Sequence, residues 1–367
     1  MKVMSIVGAR PEFIQAAPVS QALRREHSEV LVHTGQHYDY QMSEVFFQDL
    51  AIPQPDYNLE IGSGSHGRQT GEMLAGLEEL MLKERPEIVI VRGDTNSTVA
   101  GALAAAKLGI PLAHVESGAR SFDRSMPEEI NRIVTDHISD LLFCVAPSAV
   151  ENLAAEGLTR GVHYVGDVMY DAVLQHLPRA WERSKIAAQL GLRPKSYFLA
   201  TVHRAANADS PERLARIVDG LNRIQETVVF PVHPRTRKRL DQFGLTFGPH
   251  VRAIEPVGYL DMLALESGAR KILTDSGGVT REAYFVGVPC ITLRAETEHV
   301  ETVRHGWNVL VDADPNRIVE AARSFEPSGP QPLVFGDGAA AQKIVNVLSS
   351  RKVNESTLAL NTTQPYI

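Results

Sequence analysis

The sequence predicts an α/β protein made of two doubly wound halves that face each other across a ligand cleft. Three observations lead there. Short apolar runs alternate with helical patterns from end to end, which implies parallel sheets covered by helices on both faces. The chain has 367 residues, more than one hydrophobic core usually supports. The polar and glycine-containing segments follow directly on strands, and open α/β sheets hold their ligands beyond the carboxyl ends of the strands.

The strands of the first half are Lys2–Val7, Glu29–His33, Glu87–Val91, Leu112–Val115 and Leu141–Val145. Those of the second half are Tyr197–Val202, Val228–Val232, Arg252–Glu255, Lys271–Thr274 and Cys290–Leu293. The boundary follows Gly166-Asp167, where a long polar helix leads to Arg193-Pro194-Lys195. After Ser349 the chain is rich in Ser, Thr and Asn, and a disordered tail is expected over 349–367.

Composition narrows the function. The net charge of -7 argues against a nucleic-acid binder or a membrane-surface protein, so any phosphate site needs local positive charge. Cys144 and Cys290, the two cysteines, each sit in an apolar run and read as buried strand residues, which fits a reducing cytoplasm. The first apolar run stops at Arg10-Pro11-Glu12, too early for a signal peptide, and no run is long enough to span a membrane. No Cys/His cluster has metal-ligand spacing, so no metal is expected. Arg92-Gly93-Asp94 ends an apolar strand and should point inward rather than serve adhesion.

Each polar strand end has a plain reading beside a functional one. Gly8-Ala9-Arg10-Pro11-Glu12 is a strand-to-helix turn, yet it offers free helix N–H groups and a fixed charge on Arg10. Asp94, taken alone, reads as an N-cap. Glu116 is different: a carboxylate ending a buried strand is costly unless it is used or paired. Pro127 suits a helix start, and Glu128 with Arg132 has the spacing of a surface i,i+4 ion pair worth about 0.3–0.5 kcal/mol. In the second half His203-Arg204, His233-Pro234-Arg235 and Asp275-Ser276-Gly277-Gly278 end strands, the last before a helix carrying Glu282. Paired glycines before a helix suit close approach of a diphosphate. Together these residues suit a substrate with an anionic diphosphate end and a neutral end that undergoes proton chemistry.

These motifs resemble the non-hydrolysing UDP-N-acetylglucosamine 2-epimerases. The resemblance runs from Met1 to about Leu348 and is strongest at Gly8–Pro11, Gly93–Thr95, His114–Arg120, Pro127–Arg132, His203-Arg204, Asp275–Glu282 and Arg294–Glu301. It implies the GT-B-like fold, two Rossmann-like domains over 1–168 and 169–338, with a helix over 339–348 crossing back to the first. It also implies reversible C2 epimerisation of UDP-N-acetylglucosamine to UDP-N-acetylmannosamine for cell-surface polysaccharide synthesis. The C2 proton is not beside a carbonyl and no redox cofactor motif is present, so no cofactor is expected. The resemblance implies that UDP leaves C1 first, giving a 2-acetamidoglucal, and re-adds with protonation on the other face. That needs an acid/base group for each face and groups that stabilise the departing diphosphate. By the resemblance, Asp94, Glu116 and Glu128 are the acid/base candidates, one of them protonated near neutral pH. Arg10, His203 and Ser276-Gly277-Gly278 hold the phosphates, with His203 counted among the catalytic residues, Arg204 binds the substrate, and Glu282 accepts from the ribose hydroxyls. Arg132 orients Glu128 or meets the phosphate.

Departures from the family pattern fall near the sugar end. Gln15 stands where many members carry Lys, Ala206 replaces a Glu, and Ser117 and Ala119 replace the usual Ala and Leu. They leave the sugar open: a UDP-2,3-diacetamido-uronic acid is the close variant, and it would want an additional cation. A hydrolysing relative, a GT-B glycosyltransferase and an inactive sugar-nucleotide sensor are further alternatives. Gln36, His37, Arg68 and His233 match parts of a second, allosteric UDP-sugar site in some bacterial members. The expected partners are a UDP-sugar and a second copy of the chain, as a homodimer in the cytoplasm, with no nucleic acid and no membrane.

Overall fold

The computed structural model describes residues 1–36, 50 and 52–350. His37 and the 351–367 tail lie outside these residues. Seven strands form the first sheet: β1 (Lys2–Val7), β2 (Ser28–His33), β3 (Tyr57–Asn58), β4 (Ile88–Arg92), β5 (Leu112–Ser117), β6 (Leu141–Cys144) and β7 (Val162–Tyr164). Six form the second: β8 (Phe198–Thr201), β9 (Val228–Pro231), β10 (Val251–Ile254), β11 (Lys271–Thr274), β12 (Cys290–Thr292) and β13 (Asn308–Leu310). Their orders are β3-β2-β1-β4-β5-β6-β7 and β10-β9-β8-β11-β12-β13, and every pairing is parallel. β1 and β4 of the first sheet, and β8 and β11 of the second, flank the point where the strand order reverses.

The central strands are apolar on both faces, which is why they read clearly in sequence. β4, for example, is buried at every position. β3, β7 and β13 escape the pattern because they are two or three residues long, lie toward sheet edges and are partly exposed. Helix starts follow the proline rule: Pro11, Pro127, Pro147, Pro211, Pro234 and Pro315 each occupy the first helical turn, where a missing N–H costs nothing. Cys144 and Cys290 are buried and free. Arg92 is fully buried. Among the described residues no helix is long and apolar enough to cross a membrane.

The chain passes between the domains twice at one place. Gly166 and Gly336, both with positive φ, cross in contact, and a Cβ on Gly166 would lie 2.8 Å from the Phe335 carbonyl oxygen. The Asp167 amide donates to that same carbonyl at 2.8 Å. The helix Val168–Arg183 then lies between the domains, with Met169, Ala172 and Val173 packed among Phe13 and Ile14 of the first and Tyr259 and Leu263 of the second. The last helix, Ala340–Ser350, returns to the first sheet. Its Ile344, Val345 and Leu348 share a core with Val3, Val19 and Leu23. Asp171 receives its first amides, from Ala340 at 3.1 Å and Ala341 at 2.7 Å.

Candidate active site

The loops after β1 and β4 are tied together by a residue the sequence reading passed over. Glu12, in the first turn of the helix Arg10–Glu26, accepts from the Gly8 and Ala9 amides at 2.6 and 2.9 Å. Its other oxygen accepts from the Thr95 and Thr98 hydroxyls at 2.6 and 2.9 Å. Burial pushes its carboxyl up while these four bonds oppose the shift. Its glutamate-three-after-the-cap spacing was the available signal.

Asp94 follows β4. Its carboxylate receives Arg132 Nη2 at 2.5 Å, and its backbone oxygen receives Asn131 Nδ2 at 2.9 Å. Behind this loop lies a second missed residue, His114. Its Nε2 donates to the Gly93 carbonyl at 2.8 Å while Nδ1 meets Asp136 at 2.7 Å. Arg132 does not form the surface pair with Glu128. It is buried and binds Asp94, Glu129 at 2.8 Å and, across the cleft, Glu298 at 3.9 Å. Burial opposes its charge, but Asp94 and Glu298 more than restore it. Glu128 is half-buried and makes no hydrogen bond or ion pair with the described residues.

Glu116 ends β5 in a conformation that a side chain rarely adopts. The register between β5 and β6 shifts between Val115 and Ser117, and Glu116 has φ 74°. Such a bulge with a left-handed non-glycine residue costs of order 1–3 kcal/mol and re-aims the side chain. Its carboxyl is gripped from both domains, by Gln15 Nε2 and by Arg281 Nη2 at 3.0 Å. Desolvation raises its pKa, Arg281 opposes, and Asp167 and Asp94 add to the rise.

At the second sheet, Asp275 organises the loop after β8. It accepts from the His203 amide at 3.0 Å, the Arg204 amide at 3.1 Å and Asn207 Nδ2 at 3.1 Å. Burial alone would raise its carboxyl, but these partners and the His203 ring hold it below the usual range. His203 keeps an exposed side chain 5.7 Å, centroid to centroid, from His233. Arg204 donates to the Asp275 carbonyl at 3.1 Å and reaches Glu298 at 3.1 Å. Ser276 caps the helix Gly277–Phe285 by accepting from Val279 N.

The two glycines differ. A Cβ on Gly277 would lie 2.5 Å from Glu298 Oε1, whereas one on Gly278 would meet only Met169 and Ser276 at 3.7 and 3.8 Å. Gly277 is required by the protein's own packing; only Gly278 leaves room beside the helix N-terminus. Glu298 itself was missed. Burial opposes its charge, but His299, Arg204, Arg294 and Arg132 hold its carboxyl well below the usual range. Glu282 is buried with Glu266 and Tyr259, facing the charge of Arg10. Desolvation lifts Glu282 to about 7 and pushes Glu266 well above the usual carboxylate range. Glu298 lies in the Arg294–Glu301 stretch that carries the resemblance but was not singled out there, and nothing in sequence placed Glu266 here, because it arrives from the side of a helix.

Of the residues read as an allosteric set, Gln36 accepts from Ser97 Oγ at 2.7 Å at the start of the helix Asn96–Lys107. Arg68 is exposed and paired with Glu72. His233 caps the helix Pro234–Phe243.

Two Rossmann-like domains whose strand ends meet through Arg281–Glu116 and Arg132–Glu298 define a GT-B-like protein. Residues 21–349 match the family described as UDP-N-acetylglucosamine 2-epimerase. A UDP-N-acetylglucosamine 2-epimerase homologue of Methanococcus maripaludis is 54% identical over 95% of this chain and 99% of its own. The UDP-2,3-diacetamido-2,3-dideoxy-D-glucuronate 2-epimerase of Pseudomonas aeruginosa is 49% identical over 95% and 99%. The crystal structure of Methanocaldococcus jannaschii UDP-GlcNAc 2-epimerase in complex with UDP-GlcNAc and UDP superposes with a TM-score of 0.91, at 45% identity over 96% of this chain and 100% of that one. The chain belongs to the UDP-N-acetylglucosamine 2-epimerase family.

Proposed function

We propose that the protein interconverts UDP-N-acetylglucosamine and UDP-N-acetylmannosamine by eliminating UDP and adding it back. The observation that carries this reading is Glu116: buried, strained, its carboxyl raised by desolvation and 3.0 Å from a guanidinium of the facing domain. The C1–O bond breaks with its electron pair leaving on UDP. The C2 proton passes to a carboxylate, and a C1=C2 double bond forms. Re-addition reverses these events with a proton delivered to the opposite face. Asp94, Glu116 and Glu128 serve as the acid/base groups. Arg10, His203, Arg204 and the N-terminus at Ser276-Gly277-Gly278 stabilise charge developing on the diphosphate. Glu282 takes the ribose hydroxyls.

Incubation with UDP-N-acetylglucosamine in deuterated water, followed by proton NMR, tests this. Deuterium at C2 of both epimers, with UDP staying mainly esterified, is the expected result; no exchange, or accumulation of free sugar, sinks the reading. A second reading, 2-epimerisation of a UDP-2,3-diacetamido-uronic acid, is favoured by one observation: Arg281 adds a buried cation beside Glu116. The Pseudomonas aeruginosa relative acts on such a sugar by its name. Comparing kcat/KM for the two nucleotide sugars decides between them.

A further inference from the structure

Glu116 belongs to the first domain, but the cation against it comes from the second. Arg281 lies on the helix Gly277–Phe285, which follows β11, and is almost wholly buried. One nitrogen meets Glu116 Oε1 at 3.0 Å and another meets Asp167 Oδ2 at 2.7 Å, at the point where the chain crosses between domains. From its own domain Glu116 is held by Gln15, which brings a hydrogen bond and no charge. Among the described residues, the other charged groups that bear most on Glu116 are Asp167 and Asp94, both acidic, and Asp94 is already bound to Arg132.

We propose that Arg281 is a positioning residue for the C2 chemistry. It reaches across the cleft to fix the Glu116 carboxyl and supplies the positive charge that keeps it usable as a base, so this acid/base group is complete only when the domains are together. The inference rests on the reading of Glu116 as an acid/base group. The geometry is specific. Arg281 is the bridge between a strained carboxylate at the reacting end and the interdomain crossing at Asp167, and it bears on Glu282 at the nucleotide end as well. Opening the cleft would withdraw the charge and leave Glu116 with an uncharged amide and two neighbouring acids.

The test reads Glu116 directly and through catalysis. Glutamate labelled with carbon-13 at the side-chain carboxyl gives a titration for Glu116, its signal assigned by loss in Glu116→Gln. The pH profile of C2 deuterium exchange is measured on the same proteins. Arg281→Gln should raise the Glu116 midpoint by about one pH unit or more and move the acidic limb of the exchange profile up with it. Arg281→Lys should restore both. Adding Gln15→Lys to Arg281→Gln should bring both back toward the parent, because an ammonium at residue 15 starts from a side chain already touching Glu116. Should Arg281→Gln not fold, Asp167→Asn tests the same geometry with the opposite sign: Glu116 loses a neighbouring acid and Arg281 its rival carboxylate, and the midpoint should fall. An unmoved midpoint in a folded Arg281→Gln or Asp167→Asn protein overturns the proposal. A midpoint that moves while the exchange profile stays put overturns the role in C2 chemistry and, separately, the assignment of Glu116 as acid/base.

Discussion

The two sheets share a strand order around the reversal point, yet their strand ends are furnished differently. The first sheet presents carboxylates at the ends of β4 and β5, Asp94 and Glu116, with Glu128 from the first turn of the helix Pro127–Ile138. The second presents His203, Arg204, Arg281 and the amides beside Ser276, with its own acid, Asp275, turned to bind backbone. Topology fixes where ligand-facing loops lie, and the charge on those loops divides the work. On the proposed reading, proton transfer falls to the first domain and diphosphate binding mainly to the second, with Arg10 reaching it from the first. The cross-cleft pairs, Arg281 with Glu116 and Glu298 with Arg132, are where that division is not clean.

The division is broken most directly at Glu116. Glu116→Gln should lower C2 exchange by about 10²–10⁴-fold while UDP affinity, measured by calorimetry, changes little. Equal losses in both would mean the carboxylate belongs to binding. Next in size is the contrast between the glycines. Gly277→Ala forces a methyl group against Glu298, which its arginines hold in place, and should cost about 1–3 kcal/mol of stability in thermal unfolding. Gly278→Ala should leave the transition where it is.

A smaller effect concerns pH. Glu282 titrates near 7 in the protein because burial disfavours its charge. If ribose hydroxyls bind its ionised form, UDP binding at pH 7 should release a fraction of a proton, seen as buffer-dependent binding enthalpy, and Glu282→Gln should abolish it. Smallest is Asp171, whose pKa is raised to about 6 by burial. A carboxyl with a raised folded pKa contributes stability below its unfolded value of about 3.9, and loses it as pH rises through about 6. Asp171→Asn should flatten the stability profile across that window in denaturant titrations.

Much of this division was legible in the sequence because parallel strands are apolar along their whole length and loops after them are not. β1 and β11 were placed to the residue, and the loops bearing Arg10, Asp94, Glu116, His203 and Ser276 fall where the topology puts ligand sites. What escaped were residues that act through space. Glu12 looks like a routine first-turn acid until Thr95 and Thr98, more than eighty positions on, are seen bonded to it. Glu266 carries no local signal at all, and Glu298 is marked only by the stretch Arg294–Glu301 around it, not by its own spacing. Glu128 and Arg132 misled for the converse reason: their spacing fits a helix-surface pair, but Asp94 and Glu129 offer Arg132 buried partners, and those win.

The crossing at Gly166 and Gly336 sets the order in which the two domains are completed. Residues between the two crossings form one uninterrupted piece, so the second domain holds everything it needs as soon as that piece has left the ribosome. The first domain, although begun earlier, still lacks Ile344, Val345 and Leu348, each worth roughly 1.5–3 kcal/mol when buried. The part of the protein made first is therefore the part finished last, and until then the face of its sheet that receives the final helix stays open.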